Sequence, residues 1–276
     1  MPTAFVSLHT TDGFVIASDG RVRDHENKVL ALEAQKLFPI PGRQLVFGIM
    51  GISSFSVDSQ AGLIDFPSAI TERANEIGTK DYSSVSSYAL SLCGGAYLPL
   101  KRAKQENRLD NDFPEEPRMR VSGRAGYVIA HVFMWGYHHG PCDVQVLFRH
   151  ENQVLSGLEA SQLGVVDPNA SWCVCGSKVI NDILCDPRDQ RFSAYRIAPM
   201  TKRGKPTMAE GIEIAKRYVA ACDTTEARLL DPTCEGIGGR VQIATITPSQ
   251  GVRWVEGHEP VAQTWKEQFA GGRKKE

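Results

Sequence analysis

Thr3-Ala4-Phe5-Val6-Ser7-Leu8-His9 is followed by Thr10-Thr11-Asp12-Gly13 and then by Phe14-Val15-Ile16-Ala17-Ser18-Asp19-Gly20-Arg21. Two apolar runs separated by Asp-Gly read as a β-hairpin, because glycine accepts the positive φ that a tight turn requires. Such a hairpin carries Asp19 back beside the first residues of the chain. Lys36 opens the next apolar run, Lys36-Leu37-Phe38-Pro39-Ile40. A threonine, a carboxylate and a lysine folded together form a candidate catalytic constellation. A threonine at a chain start can supply nucleophile and base at once: its hydroxyl attacks and its own α-amine takes the proton.

Working outward, a strand is expected over 45–50, after a turn at Pro41-Gly42-Arg43. Helical spacing then takes over. Ile64, Phe66, Ile70, Ala74 and Ile77 fit one buried face of a helix over 54–77, and Tyr88, Leu92, Ala96 and Leu100 fit one over 83–104. Residues 105–125 are polar, carry both signs of charge and contain Pro114 and Pro117, which reads as a solvated surface loop. Strands are expected at 126–137, 143–149, 154–156 and 172–176. A short helix over 178–184 and a longer one over 207–228 follow, then strands at 240–246 and 252–255. Two antiparallel sheets stacked face to face, with a helix pair on each outer surface, account for this order. The expected class is α+β, a four-layer α-β-β-α sandwich. One domain over 1–260 is expected, with 261–276 as a frayed tail.

A chain of 276 residues, 42% hydrophobic and 23% charged, is long enough to bury a sizeable core. Its 31 basic and 32 acidic residues leave a net charge of −1, which favours neither nucleic acid nor an anionic membrane as partner. No apolar run approaches eighteen residues and no basic segment precedes an apolar core at the start, so neither a span nor a signal peptide is expected. A cytoplasmic location follows as an expectation. Seven cysteines, an odd number, read as reduced core thiols. Cys173-Val174-Cys175 has no second Cys or His pair at finger-like spacing, so no metal is assigned to it. His138-His139 near Cys142 would point to opposite faces of a strand, and a hairpin turn at Gly140-Pro141 explains them better.

These residues, in this order, resemble the β-type proteasome subunits and their bacterial relatives, a family of N-terminal-nucleophile hydrolases. Thr3 falls where that family has its nucleophile, and Ser18-Asp19-Gly20-Arg21 matches its Asp and the Arg two later. Lys36 in Gln35-Lys36-Leu37 matches the active-site Lys. Gly51, Gly176-Ser177 and Gly238-Gly239 match further motifs, so the resemblance runs from Thr3 to about Val255. It implies a threonine-type peptidase with Thr3, Asp19, Lys36, Gly51 and Ser177 as its machinery. Lys36 would tune the threonine, Asp19 would hold Lys36, the Gly51 N–H would meet the oxyanion, and Ser177 would stand near the amine. Ile49 would floor an apolar pocket walled by Val22 and Ala34. Arg23 departs from the small hydroxyl residue usual there. Asp231 and Glu235 are both candidates for the acidic partner of Ser177.

By the same resemblance the substrate is a peptide or unfolded protein, the assembly a homo-oligomeric ring, and any ATPase a separate partner. No cofactor or metal is implied. Met1 and Pro2 precede Thr3. Removal of both by self-cleavage or an aminopeptidase gives the enzyme. Retention of Pro2 blocks the amine and gives an inactive scaffold of the same fold. A non-peptide amidohydrolase is the third reading, because a fold does not fix a substrate.

Overall fold

The computed structural model describes residues 3–23, 28–78, 80–115, 118–121, 124–165, 173–201 and 204–261. The opening hairpin forms as its turn dictates: β1 (Phe5–His9) pairs antiparallel with β2 (Phe14–Ser18), with Phe5 opposite Ser18 and His9 opposite Phe14. The Thr10 N–H closes the turn on the Gly13 carbonyl at 2.7 Å. A small hairpin of β3 (Val22–Arg23) and β4 (Val29–Ala31) comes next, then β5 (Leu37–Pro39), β6 (Leu45–Gly51), β7 (Ser54–Val57) and β8 (Gly62–Asp65). Helices α1 (Phe66–Ile77) and α2 (Val85–Gln105) lead to β9 (Arg118–Val121), β10 (Arg124–Tyr137), β11 (Pro141–Glu151), β12 (Val154–Ser161) and β13 (Cys173–Cys175). The chain continues through α3 (Lys178–Cys185), α4 (Met208–Cys222) and α5 (Thr225–Leu230) to β14 (Gln242–Thr247) and β15 (Gly251–Trp254).

Two larger antiparallel sheets result, ordered β13-β1-β2-β14-β15 and β12-β11-β10-β6-β5, with β9 added on β10. Strand β2 is buried along its whole length. Its alternate side chains enter different apolar clusters, as the two-residue period requires. Phe14 and Ile16 join Phe5 and Ile246 of the same sheet to Val46, Phe133 and Trp135 of the other. Val15 and Ala17 instead meet Ile180 and Leu184 of α3 and Ile214 and Tyr218 of α4. On the second sheet, Phe47, Ile129, Val146 and Phe148 pack against Phe66 and Ile70 of α1 and Tyr88 and Leu92 of α2.

Several expected boundaries move. The helix expected over 54–77 begins only at Phe66, because β7 and β8 form a hairpin first. Its turn holds Asp58, Ser59 and Gln60 at φ of 53°, 55° and 71°. The Asp110 carboxylate receives the N–H groups of Ser59 and Gln60, which satisfies that left-handed turn without a glycine. Asp65 then caps α1 through the Ser68 N–H, with proline in the first turn. The solvated loop expected over 105–125 contains β9, which pairs with β10. The long helix expected over 207–228 is two. A capping box on Thr207 and Glu210 starts α4, and Thr224 caps α5 after a break at Asp223. His138 and His139 lie in the turn between β10 and β11, outside both strands. This is the hairpin turn expected at Gly140-Pro141, and there the two Nε2 atoms both reach the Tyr82 carbonyl, at 3.0 and 3.1 Å.

Cys93, Cys142, Cys222 and Cys234 are buried free thiols. Among the described residues, no group of three or more His, Cys, Asp or Glu is arranged to hold a metal ion. No helix there is long and apolar enough to cross a membrane. Met1, Pro2 and nearly all of the expected tail lie outside the described residues.

Candidate active site

The hairpin and the strand after it bring Thr3, Asp19 and Lys36 together. Thr3 precedes β1, Asp19 follows β2, and Lys36 stands just before β5. All three are buried, Asp19 completely. The Lys36 ammonium donates to both Asp19 carboxylate oxygens at 3.0 Å and to the Thr3 hydroxyl at 3.3 Å. The Asp19 carboxylate also receives backbone N–H groups from Ala4 at 2.8 Å, Arg21 at 3.1 Å and Gly238 at 3.2 Å. A buried carboxylate needs this saturation, because each unmet lone pair in an apolar setting is costly.

Burial pushes the Lys36 ammonium below the usual lysine range; the Asp19 charge opposes this and the Arg21 charge adds to it. Burial likewise raises the Asp19 carboxyl, against the pull of Lys36 and the backbone donors. Gln242, fully buried in β14, fixes the lysine's backbone. Its Oε1 accepts the Lys36 N–H at 3.1 Å, and its Nε2 donates to the Ala34 carbonyl at 2.7 Å. Sequence reading passed over Gln242, although a glutamine at an inward position of an apolar strand is a signal for such a clamp.

Beside Thr3 a small cleft is lined by Val22, Phe38, Ile49 and Pro67, with Gln35 and Ser53 as uncharged polar members and Arg21 and Lys36 as charged ones. Gly51 reaches the same cleft. It holds φ of +97°, and a Cβ there would lie 2.7 Å from the Ile129 carbonyl oxygen, so glycine is required on both counts. Ala34 is buried but is not part of the lining; Gln35 takes that place. Arg23 turns away to pair with Glu235 at 3.2 Å.

Ser177 caps α3 by accepting the Ile180 N–H, and its hydroxyl donates to Asp231 at 2.6 Å. Asp231, not Glu235, is therefore the carboxylate that meets it. The preceding Gly176 lies against Ala4, where a Cβ would come 3.4 Å from the Ala4 Cα and 2.7 Å from the Tyr218 hydroxyl. Ser177 is thus next to the start of β1 but outside the cleft wall.

No protein-family model matches the chain, and no curated protein matches it in sequence. Three similar solved structures carry the name Anbu. A Gly-1 mutant from Hyphomicrobium sp. strain MC1 is 15% identical, with a TM-score of 0.49 over 96% of this chain and 90% of that one. The protein from Yersinia bercovieri, described as an ancestral beta-subunit, is 13% identical, with a TM-score of 0.48 over 92% and 88%. The Pseudomonas aeruginosa complex, described as a helical assembly, is 12% identical, with a TM-score of 0.48 over 98% and 93%. These findings correct the resemblance drawn from the motifs. The structural neighbours are Anbu proteins, and no sequence or family match names a proteasome β-subunit. At such identities and scores the likeness assigns this chain no family and no activity.

Proposed function

We propose that the protein is a threonine-type hydrolase acting on peptide bonds through Thr3. The observation that carries this reading is the single buried cluster in which Lys36 bridges Asp19 and the Thr3 hydroxyl at the mouth of an apolar cleft. The reading includes a layered α-β-β-α arrangement of the N-terminal-nucleophile type and removal of Met1 and Pro2 to free the Thr3 amine. That amine, with an ordinary pKa of about 8, is partly neutral near pH 7 and takes the hydroxyl proton as the oxygen attacks the scissile carbonyl. The Lys36 ammonium favours the developing alkoxide and disfavours an ammonium on the neighbouring amine. Asp19 holds Lys36 in place, and the Gly51 N–H donates to the oxyanion. A donor of that kind contributes about 3–4 kcal/mol to the transition state. The amine then passes its proton to the leaving group, and water releases the acyl group from the Thr3 oxygen.

Val22, Phe38, Ile49 and Pro67 favour an apolar side chain before the scissile bond, and a cation there would meet Arg21 and Lys36 with no carboxylate in the lining to pair with. A panel of peptide amides differing only at that residue tests this. Leucine or valine substrates are expected to exceed lysine ones by roughly 10–100-fold in kcat/KM. Equal rates across the panel would exclude the apolar pocket, and cleavage of small amides alone would exclude the peptidase reading.

The chain is also proposed to self-associate. Where the resemblance implied a ring, the Pseudomonas Anbu complex is described as helical. Light scattering is expected to give a multiple of the single-chain mass; the mass of one chain would exclude assembly.

A further inference from the structure

Asp223, between α4 and α5, has no part in the chemistry just described, yet its carboxylate sits against the strap that completes Asp19. It receives a nitrogen of Arg21 at 2.5 Å, a nitrogen of Arg228 at the same distance, and the Gly239 N–H at 3.4 Å. The other terminal nitrogen of Arg21 donates to the Ile237 carbonyl at 2.6 Å and the Glu235 carbonyl at 3.3 Å. Between these contacts lies Gly238. Its N–H donates to Asp19, and its carbonyl receives the N–H groups of Gly20 and Arg21 at 3.1 and 2.8 Å. A Cβ on Gly238 would stand 2.4 Å from the Asp223 carboxyl carbon. Gly238 is therefore pressed between two carboxylates: it donates to one and packs on the other.

Resting on the proposed hydrolase reading, we infer that Asp223 is a positioning residue that fixes Asp19 and Lys36 through Arg21 and the strap at Ile237, Gly238 and Gly239. A surface ion pair would touch only its arginines and contribute little. Here the acid also fills the space that lets Gly238 approach, and it offsets the Arg21 charge. The charged groups around Arg21 are Asp223, Asp19 and Lys36, with Arg228 on the same acid and the Arg23–Glu235 pair nearby. Arg21 disfavours the Lys36 ammonium. Neutralising Asp223 leaves Arg21 uncompensated, so Lys36 would lose its proton at lower pH.

The test compares wild type, Asp223→Asn and Asp223→Glu on the best peptide of the panel, with thermal unfolding measured alongside. Asp223→Asn is expected to lower kcat by roughly 10-fold or more with KM within about twofold, because the reacting groups shift while the cleft does not. The alkaline limb of its kcat/KM profile should move to lower pH, and Asp223→Glu should move it back. A kcat that falls only with the folded fraction, with the limb unmoved, overturns the inference. If wild type cleaves nothing, the hydrolase reading fails by itself, and the positioning role is then read from the Lys36 ¹³Cε titration. A lower midpoint in Asp223→Asn supports the role, and an unchanged one overturns it. Should Asp223→Asn not fold, Arg21→Lys takes its place; it keeps the charge but cannot hold both Asp223 and the Ile237 carbonyl, so a loss of kcat beyond any fall in folded fraction is expected, and an unchanged kcat overturns the inference.

Discussion

Lys36→Met is expected to destabilise the protein by about 3–5 kcal/mol and to abolish turnover. Both effects have one origin. Asp19 is wholly buried, and Lys36 is its only side-chain counter-ion among the described contacts. Removing one partner of a buried pair leaves the other charge desolvated and uncompensated, which is the costly case for buried ion pairs. The three backbone donors to Asp19 offset part of that cost and leave the rest. The double variant Asp19→Asn with Lys36→Met removes both charges, so it should be more stable than Lys36→Met alone. Urea unfolding of the three proteins checks this. A single variant costing under about 1 kcal/mol would mean that no charged pair is buried at this site.

Thr3→Ala is expected to separate activity from stability. The Thr3 hydroxyl makes one hydrogen bond to an ammonium that already holds both Asp19 oxygens, so its removal should cost no more than about 1–1.5 kcal/mol. Peptide turnover, by contrast, should fall by on the order of 10⁶, as expected when the nucleophile of a covalent hydrolase is deleted. Thr3→Ser keeps an attacking hydroxyl and should keep measurable turnover. If Thr3→Ala retains a tenth or more of wild-type turnover, the nucleophile lies elsewhere.

The part of this structure that could be read in the sequence is the part set by local rules. Asp12-Gly13 between apolar runs marked the first hairpin, and the helix expected from residue 207 begins where Thr207 caps α4. The β7–β8 hairpin escaped notice because its turn uses Asp58, Ser59 and Gln60 in left-handed conformations, stabilised by Asp110 some fifty residues away. The apolar residues Ile64 and Phe66 fit a helical face equally well, so periodicity alone could not place the start of α1. The site divides in the same way. Thr3, Asp19 and Lys36 stood out by their order along neighbouring strands. Gln242, Asp223 and the strap at Gly238 act across some 200 residues of chain, and nothing in their local sequence announces which partner they meet. Ala34 and Gln35 differ by a single position, and which of them faces the cleft depends on where β5 begins.

The central claim is that Thr3 acts as an N-terminal nucleophile. It is tested most directly by the intact mass and N-terminal sequence of the protein from its own host, before and after brief exposure to an activated peptide ester. The account predicts a chain that begins at Thr3 and gains one acyl group, located on Thr3 by fragmentation and absent from Thr3→Ala. A chain that still carries residues ahead of Thr3, or an acyl group on any other residue, would contradict it.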